Sequence, residues 1–222
     1  MSGHLGIFAK FWQPGLVKTR LAKTIGNQPA AAVYREFLRT LLVRFASVGD
    51  SRELVISPVD RQTEFRSLAP PAWHLVDQGS GDLGQRMARF FERGFSLGKS
   101  RIVLVGSDSP TLPVAVVRQA FSALDEHRVV LGPSEDGGYY LVGARGVLPP
   151  IFTDIDWSTD KVWLQTTAQL RRRRIRYEEL ATWYDVDSGA DLWRLHADLK
   201  QLARDDSIWN KLLAEVEGAL DR

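Results

Sequence analysis

Three cations and a hydroxyl crowd a short stretch around a Pro–Gly turn, with Lys10, Lys18, Thr19 and Arg20 flanking Pro14 and Gly15. Turn N–H groups and a bidentate arginine suit phosphate oxygens, so this stretch is a candidate polyanion cradle; plain solvation of surface cations is the alternative. The G-x-x-x-x-G-K-[ST] spacing of a Walker loop is missing. A second candidate is Gly79-Ser-Gly81-Asp82-Leu-Gly84-Gln-Arg86-Met87, which matches G-x-G-x-x-G. It follows the third apolar segment rather than the first, and the next candidate acid, Asp108, lies too far on for a dinucleotide site. The reading is therefore a glycine turn, at Gly81 and Gly84, approached closely by a ligand, with Asp82 as helix cap and Arg86 beside an anion.

Carboxylates supply the complementary chemistry. Ser107-Asp108-Ser109 ends an apolar segment, where an acid is costly unless a cation meets it. Asp108 can cap the following helix or hold a magnesium or manganese ion, which commonly takes one or two protein carboxylates plus substrate phosphates. Glu135-Asp136-Gly137-Gly138 precedes Tyr139 and Tyr140, and it reads either as a tight turn or as the floor of a pocket. In Asp185-Val-Asp187-Ser188, Asp187 or Ser188 can cap a helix, and Asp187 can equally complete a metal site. Gly94-Phe-Ser96-Leu-Gly98 has the form of a nucleophile elbow, but a helix precedes it and a strand follows, so Ser96 reads as a helix-end residue.

These residues need elements to bring them together. Leu5–Ala9, Leu54–Ser57, Trp73–Val76, Ile102–Gly106, Val129–Leu131 and Tyr139–Val142 read as strands. Apolar residues at spacings of three and four predict helices through Tyr34–Phe45 with Pro29 near the start, Leu83–Phe91, Val114–Leu124, Val162–Leu170, Leu192–Leu202 and Ile208–Leu220. Strand and helix in alternation imply crossover units, hence one α/β domain over residues 1–222 with a mainly parallel sheet flanked by helices. Ligands of such sheets bind beyond the carboxyl ends of the strands, where the motifs fall.

Composition narrows the chemistry further. With no Cys, disulfides, thiolate metal sites and cysteine nucleophiles are excluded. His4, His74, His127 and His196 are too scattered for a zinc helix motif. A net charge of +2 argues for no nucleic-acid partner. The run Arg171–Arg174 reads as a solvated cluster at a helix end. No apolar run approaches the about 20 residues of a membrane helix, and Leu5–Ala9 is too short for a secretion signal, so a cytoplasmic setting is expected.

Taken in order, the basic loop, Gly-Asp-Leu-Gly-x-Arg-Met, Gly-Ser-Asp-Ser-Pro, Gly-Pro-x-Glu-Asp-Gly-Gly-Tyr-Tyr, Asp156-Trp157-Ser158-Thr159 and Asp-Val-Asp resemble a bacterial glycosyltransferase-like family. That family belongs to the nucleotide-diphospho-sugar transferase superfamily, and the resemblance spans about residues 5 to 195. It implies the GT-A fold, nucleotide phosphates on Lys10, Lys18, Thr19 and Arg20, and Asp108 and Asp187 as ligands of Mg²⁺ or Mn²⁺. One departure stands out, because the usual Asp-x-Asp reads Ser107-Asp108-Ser109 here.

The implied reaction is glycosyl transfer from a nucleotide-diphospho-sugar to an acceptor that the sequence does not identify. Asp108 with its ion, Lys18 and Arg20 would stabilise the departing diphosphate, while Asp136, or Glu135 in its place, would deprotonate the acceptor. Arg86, Gly81, Gly84, Gly137 and Gly138 would line the nucleotide, and Trp157 either faces a sugar or is buried. Nucleotidyl transfer from a nucleoside triphosphate, with release of pyrophosphate, is the alternative. A binding module without turnover is a third reading, and a dehydrogenase the last.

Overall fold

The computed structural model describes residues 2–221. Its elements run β1 (Gly3–Lys10), α1 (Thr19–Ile25), α2 (Asn27–Arg44), β2 (Ser51–Ser57), α3 (Gln62–Leu68), β3 (His74–Asp77), α4 (Leu83–Ser96), β4 (Arg101–Val105), α5 (Val114–Ala123), β5 (Val129–Pro133), β6 (Tyr139–Arg145), α6 (Val162–Arg172), β7 (Tyr177–Glu179), α7 (Gly189–Asp205) and α8 (Asn210–Leu220). All seven strands form one sheet in the order β3-β2-β1-β4-β6-β5-β7. The pairs β1–β2, β2–β3, β1–β4 and β5–β7 are parallel; β6 runs antiparallel to both β4 and β5.

Alternation along the strands builds the layers. Leu5, Ile7 and Ala9 of β1, with Val103 and Val105 of β4, join α2, α3 and α5 in one core. Ile102 and Leu104, with Phe8, face the opposite side against Met87, Phe90 and Phe91 of α4 and Leu170 of α6. A third core joins α1 and α2 to the C-terminal pair through Phe37, Leu192, Leu195, Trp209 and Leu212. Central strands buried on both faces are why their sequences read as short unbroken apolar runs.

The order carries a functional consequence. From β1 the chain winds outward through β2 and β3, then returns to place β4 on the other side of β1. The crossover connections therefore diverge between β1 and β4, leaving a crevice beyond their carboxyl ends.

Helix boundaries follow local chemistry. Asp82 accepts from the Gln85 backbone N–H at 2.8 Å while Gln85 returns a bond to the Asp82 N–H, a complete capping box at the start of α4. Ser188 and Asp191 do the same for α7. The cap of α5 is Pro113, without a side-chain bond, so Asp108 is left free of capping duty. No described helix is long and apolar enough to cross a membrane.

Candidate functional site

A cavity of about 450 Å³ opens at this crevice. Its polar part is made by Lys10 at the end of β1, Lys18 and Thr19 at the start of α1, Ser107 and Asp108 after β4, and Asp187 before α7. Arg86 and Gln78 line it from the α4 side, and Phe8, Leu83, Met87, Leu104, Tyr139 and Val142 give it an apolar wall.

Tyr34 and Gln78 fix the strand ends that carry these groups. The Lys10 backbone N–H donates to the Tyr34 hydroxyl at 3.1 Å, and that hydroxyl shares a hydrogen bond with Ser107 Oγ at 2.8 Å, tying the end of β1 to the loop after β4. Burial, helped by the Asp108 charge, pushes the Tyr34 phenol up to about 12, so it stays protonated as this bridge. Gln78 Nε2 donates to the carbonyls of Ala9 and Val55 at 3.0 Å each, and its Oε1 receives Arg86 Nη1 at 3.0 Å.

Two carboxylates meet on Lys18, and a third, that of Asp185, lies within electrostatic reach of Asp108. Lys18 Nζ bonds Asp108 Oδ1 and lies 2.9 Å from Asp187 Oδ1; Arg20 Nη2 takes the other Asp187 oxygen at 2.5 Å. The Lys18 side chain is only 4% exposed, whereas those of Asp108 and Asp187 are 46% and 28% exposed, so the lysine approaches from inside and the acids face the cavity. Burial works against charge on Lys18, but Asp108 and Asp187 outweigh it and push the ammonium upward. Burial likewise opposes ionisation of Asp187, and Lys18 and Arg20 prevail to hold it below the usual carboxylate range. Asp185 differs: burial, then the Asp108 charge, push it up to about 6, although hydroxyls of Ser109 and Ser134 donate to its two oxygens. The Val186 N–H donates to the Asp108 carbonyl at 2.9 Å, clamping the 185–187 segment beside the end of β4.

Of the residues singled out in the sequence, Lys10, Lys18, Thr19, Arg86, Asp108 and Asp187 line one cavity. Arg20 adjoins it through Asp187, with a side chain 66% exposed. Gly81, Gly84, Asp136, Gly137 and Gly138 are not among its lining residues. Gly84 serves helix packing, since a Cβ there would come within 2.7 Å of the Phe152 carbonyl oxygen and Trp157 Nε1. Trp157 is thereby part of the packing around Gly84, Tyr139 and Phe152. Gly137 has φ +87° and lies so close to the Asp160 backbone that no side chain fits, which seats the β5–β6 turn on the segment after Trp157. Asp136 closes that turn by accepting the Gly138 N–H at 2.9 Å, and Gly81 lies in the turn ahead of the α4 cap. Glu135 is engaged by both terminal nitrogens of Arg194, at 2.7 and 3.1 Å.

Sequence reading passed over Asp185, Tyr34 and Ser134. Asp185 had a signal, being the first acid of Asp-Val-Asp. Tyr34 had none, because it sits on the apolar stripe of α2 and only the tertiary fold turns its hydroxyl to Ser107.

Divalent chemistry can be judged on the donors present. Asp108 and Asp187 offer hard oxygens that converge on one cation, the Lys18 ammonium, and both face the cavity. Among the described residues no three His, Cys, Asp or Glu side chains group as a complete metal cage. Two carboxylates, with the remaining positions left to phosphate and water, suit Mg²⁺ or Mn²⁺.

The family described as uncharacterized protein conserved in bacteria (DUF2064) matches residues 41–159, more than half of the chain. Among solved structures, the chain is similar to a protein of Desulfovibrio desulfuricans G20 provisionally assigned as a nucleotide-diphospho-sugar transferase, with 32% identity, a TM-score of 0.88, and coverage of 100% of this chain and 98% of that one. A Methanothermobacter nucleotidyl transferase superposes with a TM-score of 0.58 at 13% identity, covering 87% of this chain and 95% of that chain. A 4-diphosphocytidyl-2C-methyl-D-erythritol synthase gives 0.58 at 10% identity, covering 88% and 98%. These last two share the fold. No curated protein matches.

Proposed function

We propose, from the premise that the chain belongs to the DUF2064 family of proteins conserved in bacteria, that it is a transferase acting on a nucleotide-activated donor, and that it moves a sugar from a nucleotide-diphospho-sugar to an acceptor. The observation that carries this reading is the meeting of Lys10, Lys18, Thr19, Asp108 and Asp187 in one cavity at the point where the crossovers diverge. Cations and acids together suit a diphosphate and its counter-ion, whereas either alone would not. The full-length similarity to the Desulfovibrio protein points the same way.

In this reading Lys10, Thr19 and Arg86 hold phosphate oxygens, and the cavity's apolar wall excludes water from the leaving diphosphate. Asp108 and Asp187 would hold Mg²⁺ or Mn²⁺, which when bound neutralises charge developing on the terminal phosphate. Lys18 and Arg20 stabilise the same charge from the carboxylate side, where stabilisation grows as the bond breaks. Asp136, exposed on the turn after β5, is the proposed base for the acceptor hydroxyl, taking its proton as the new bond forms.

Incubating the protein with nucleotide sugars and, separately, with nucleoside triphosphates tests the assignment, with Mn²⁺ present and absent. Metal-dependent release of nucleoside diphosphate, with water taking the sugar when no acceptor is supplied, is the expected result. Pyrophosphate release from a triphosphate would replace glycosyl by nucleotidyl transfer. A thermal-shift panel in which no nucleotide raises the melting temperature would remove both.

A further inference from the structure

Lys18 is built differently from a lysine that merely faces phosphate. Its backbone is in the left-handed region, φ 48° and ψ 43°, a conformation that a non-glycine residue adopts at a cost and that surrounding structure must enforce. Its side chain is almost fully enclosed, with the ammonium 5.9 Å from the ring centroids of both Tyr34 and Phe37. The ammonium reaches one oxygen of Asp108 and one of Asp187, and Arg20 takes the second oxygen of Asp187. Of the four carboxylate oxygens suited to a divalent ion, three thus already meet a cation belonging to the chain. Asp185 is not among the residues lining the cavity, and its two oxygens accept from Ser109 and Ser134.

We propose that Lys18 is a gate on the cation site: in the free protein its ammonium occupies the point where Asp108 and Asp187 converge, and a divalent ion enters only together with a polyphosphate. Phosphate oxygens are the one partner of the pocket's chemistry that can take the ammonium from the carboxylates while also ligating the ion. Until they arrive, ion and ammonium compete for the same oxygens and repel each other at close range. This deepens the transferase reading and rests on it for the identity of the phosphate carrier, but the exclusion of free metal is a property of the chain alone.

Equilibrium dialysis of metal-free protein against Mn²⁺, with and without inorganic pyrophosphate, reads the gate without any turnover. Wild-type protein is expected to retain Mn²⁺ weakly alone and strongly when pyrophosphate is added, beyond what pyrophosphate holds in a protein-free chamber. Lys18→Met, which keeps the length and loses the charge, is expected to bind Mn²⁺ alone with a Kd at least about tenfold lower than wild type. Lys18→Gln provides a second neutral variant, and circular dichroism establishes that each is folded. Wild-type protein that binds Mn²⁺ alone as tightly as either folded variant, or that takes up no further Mn²⁺ with pyrophosphate, overturns the gate; the second of these results stands even if both variants fail to fold. The transferase reading fails on a different result, the absence of any nucleotide-induced thermal shift, so the two cannot be confused.

Discussion

Asp108 and Asp187 share a lysine but not a setting, and their removal is expected to read differently. Asp108 follows β4 and, among the described residues, pairs with Lys18, so Asp108→Asn leaves Lys18 with Asp187 still beside it. Product formation should fall by about 10²-fold or more, with the fold retained, as for loss of a group that stabilises developing charge. Product formation at wild-type rate would remove Asp108 from the site. Asp187→Asn also frees Arg20 and weakens the anchor of a buried ammonium, so it should cost about 1–3 kcal/mol of stability as well as activity, read from denaturant unfolding. Asp136, on its exposed turn, gives the sharpest test of role. Asp136→Asn should lower turnover without altering nucleotide-induced thermal shifts, and equal loss of both would assign it to binding instead.

At the scale of elements, Gly84 and Asp82 report on how α4 is seated. Gly84→Ala pushes a methyl into the Phe152 carbonyl and the Trp157 ring, a backbone group and an indole held in a packed core, so it should destabilise by about 1–3 kcal/mol. Unchanged stability by chemical denaturation would show that this contact yields easily. The sequence made α4 and its Asp82 cap legible because a polar cap followed by apolar spacing of three and four is a local signal. Six strands were legible for a similar reason, each being an apolar run bounded by turn residues. Three elements were not. β7 has only Tyr177, Glu178 and Glu179, without an apolar run, and it exists by pairing with β5. α3 offers two buried apolar residues, Phe65 and Leu68, too few to show a period. α1 was hidden by its own charges, since Thr19, Arg20 and Lys23 look like loop chemistry until Leu21 is seen to be buried. The site divides in the same way. Asp108 and Asp187 could be paired by motif order, but the enclosure of Lys18 between them and the serine bonds of Asp185 arise only from tertiary contact.

For the molecule as a whole, the C-terminal helices are part of the site's foundation. Asp187 immediately precedes the Ser188 cap of α7, and α7 is held to α1, α2 and α8 by Leu192, Leu195 and Leu199. Leu195→Ala should cost about 2–5 kcal/mol and weaken nucleotide binding although it lies outside the cavity lining; a stability loss with unaltered affinity would separate the two. Acid stability has its own origin, on the interior strand β2. Burial opposes ionisation of Glu53, but hydrogen bonds from His4 and Arg93 outweigh it and hold the carboxyl below its ordinary range. A depressed carboxyl contributes stability that is fully present above its unfolded value and is lost as pH falls through the folded one. Glu53→Gln should therefore flatten the decline in melting temperature below about pH 4.5. An acid limb unaltered by the substitution would show that other carboxylates govern it.

The sheet terminates on one side in the four residues of β3 and on the other in the three of β7, two of which are glutamates. Borders this brief and, at β7, this acidic give a neighbouring chain almost no backbone ladder to extend, so concentrated solutions of the native protein should resist fibril growth by strand addition.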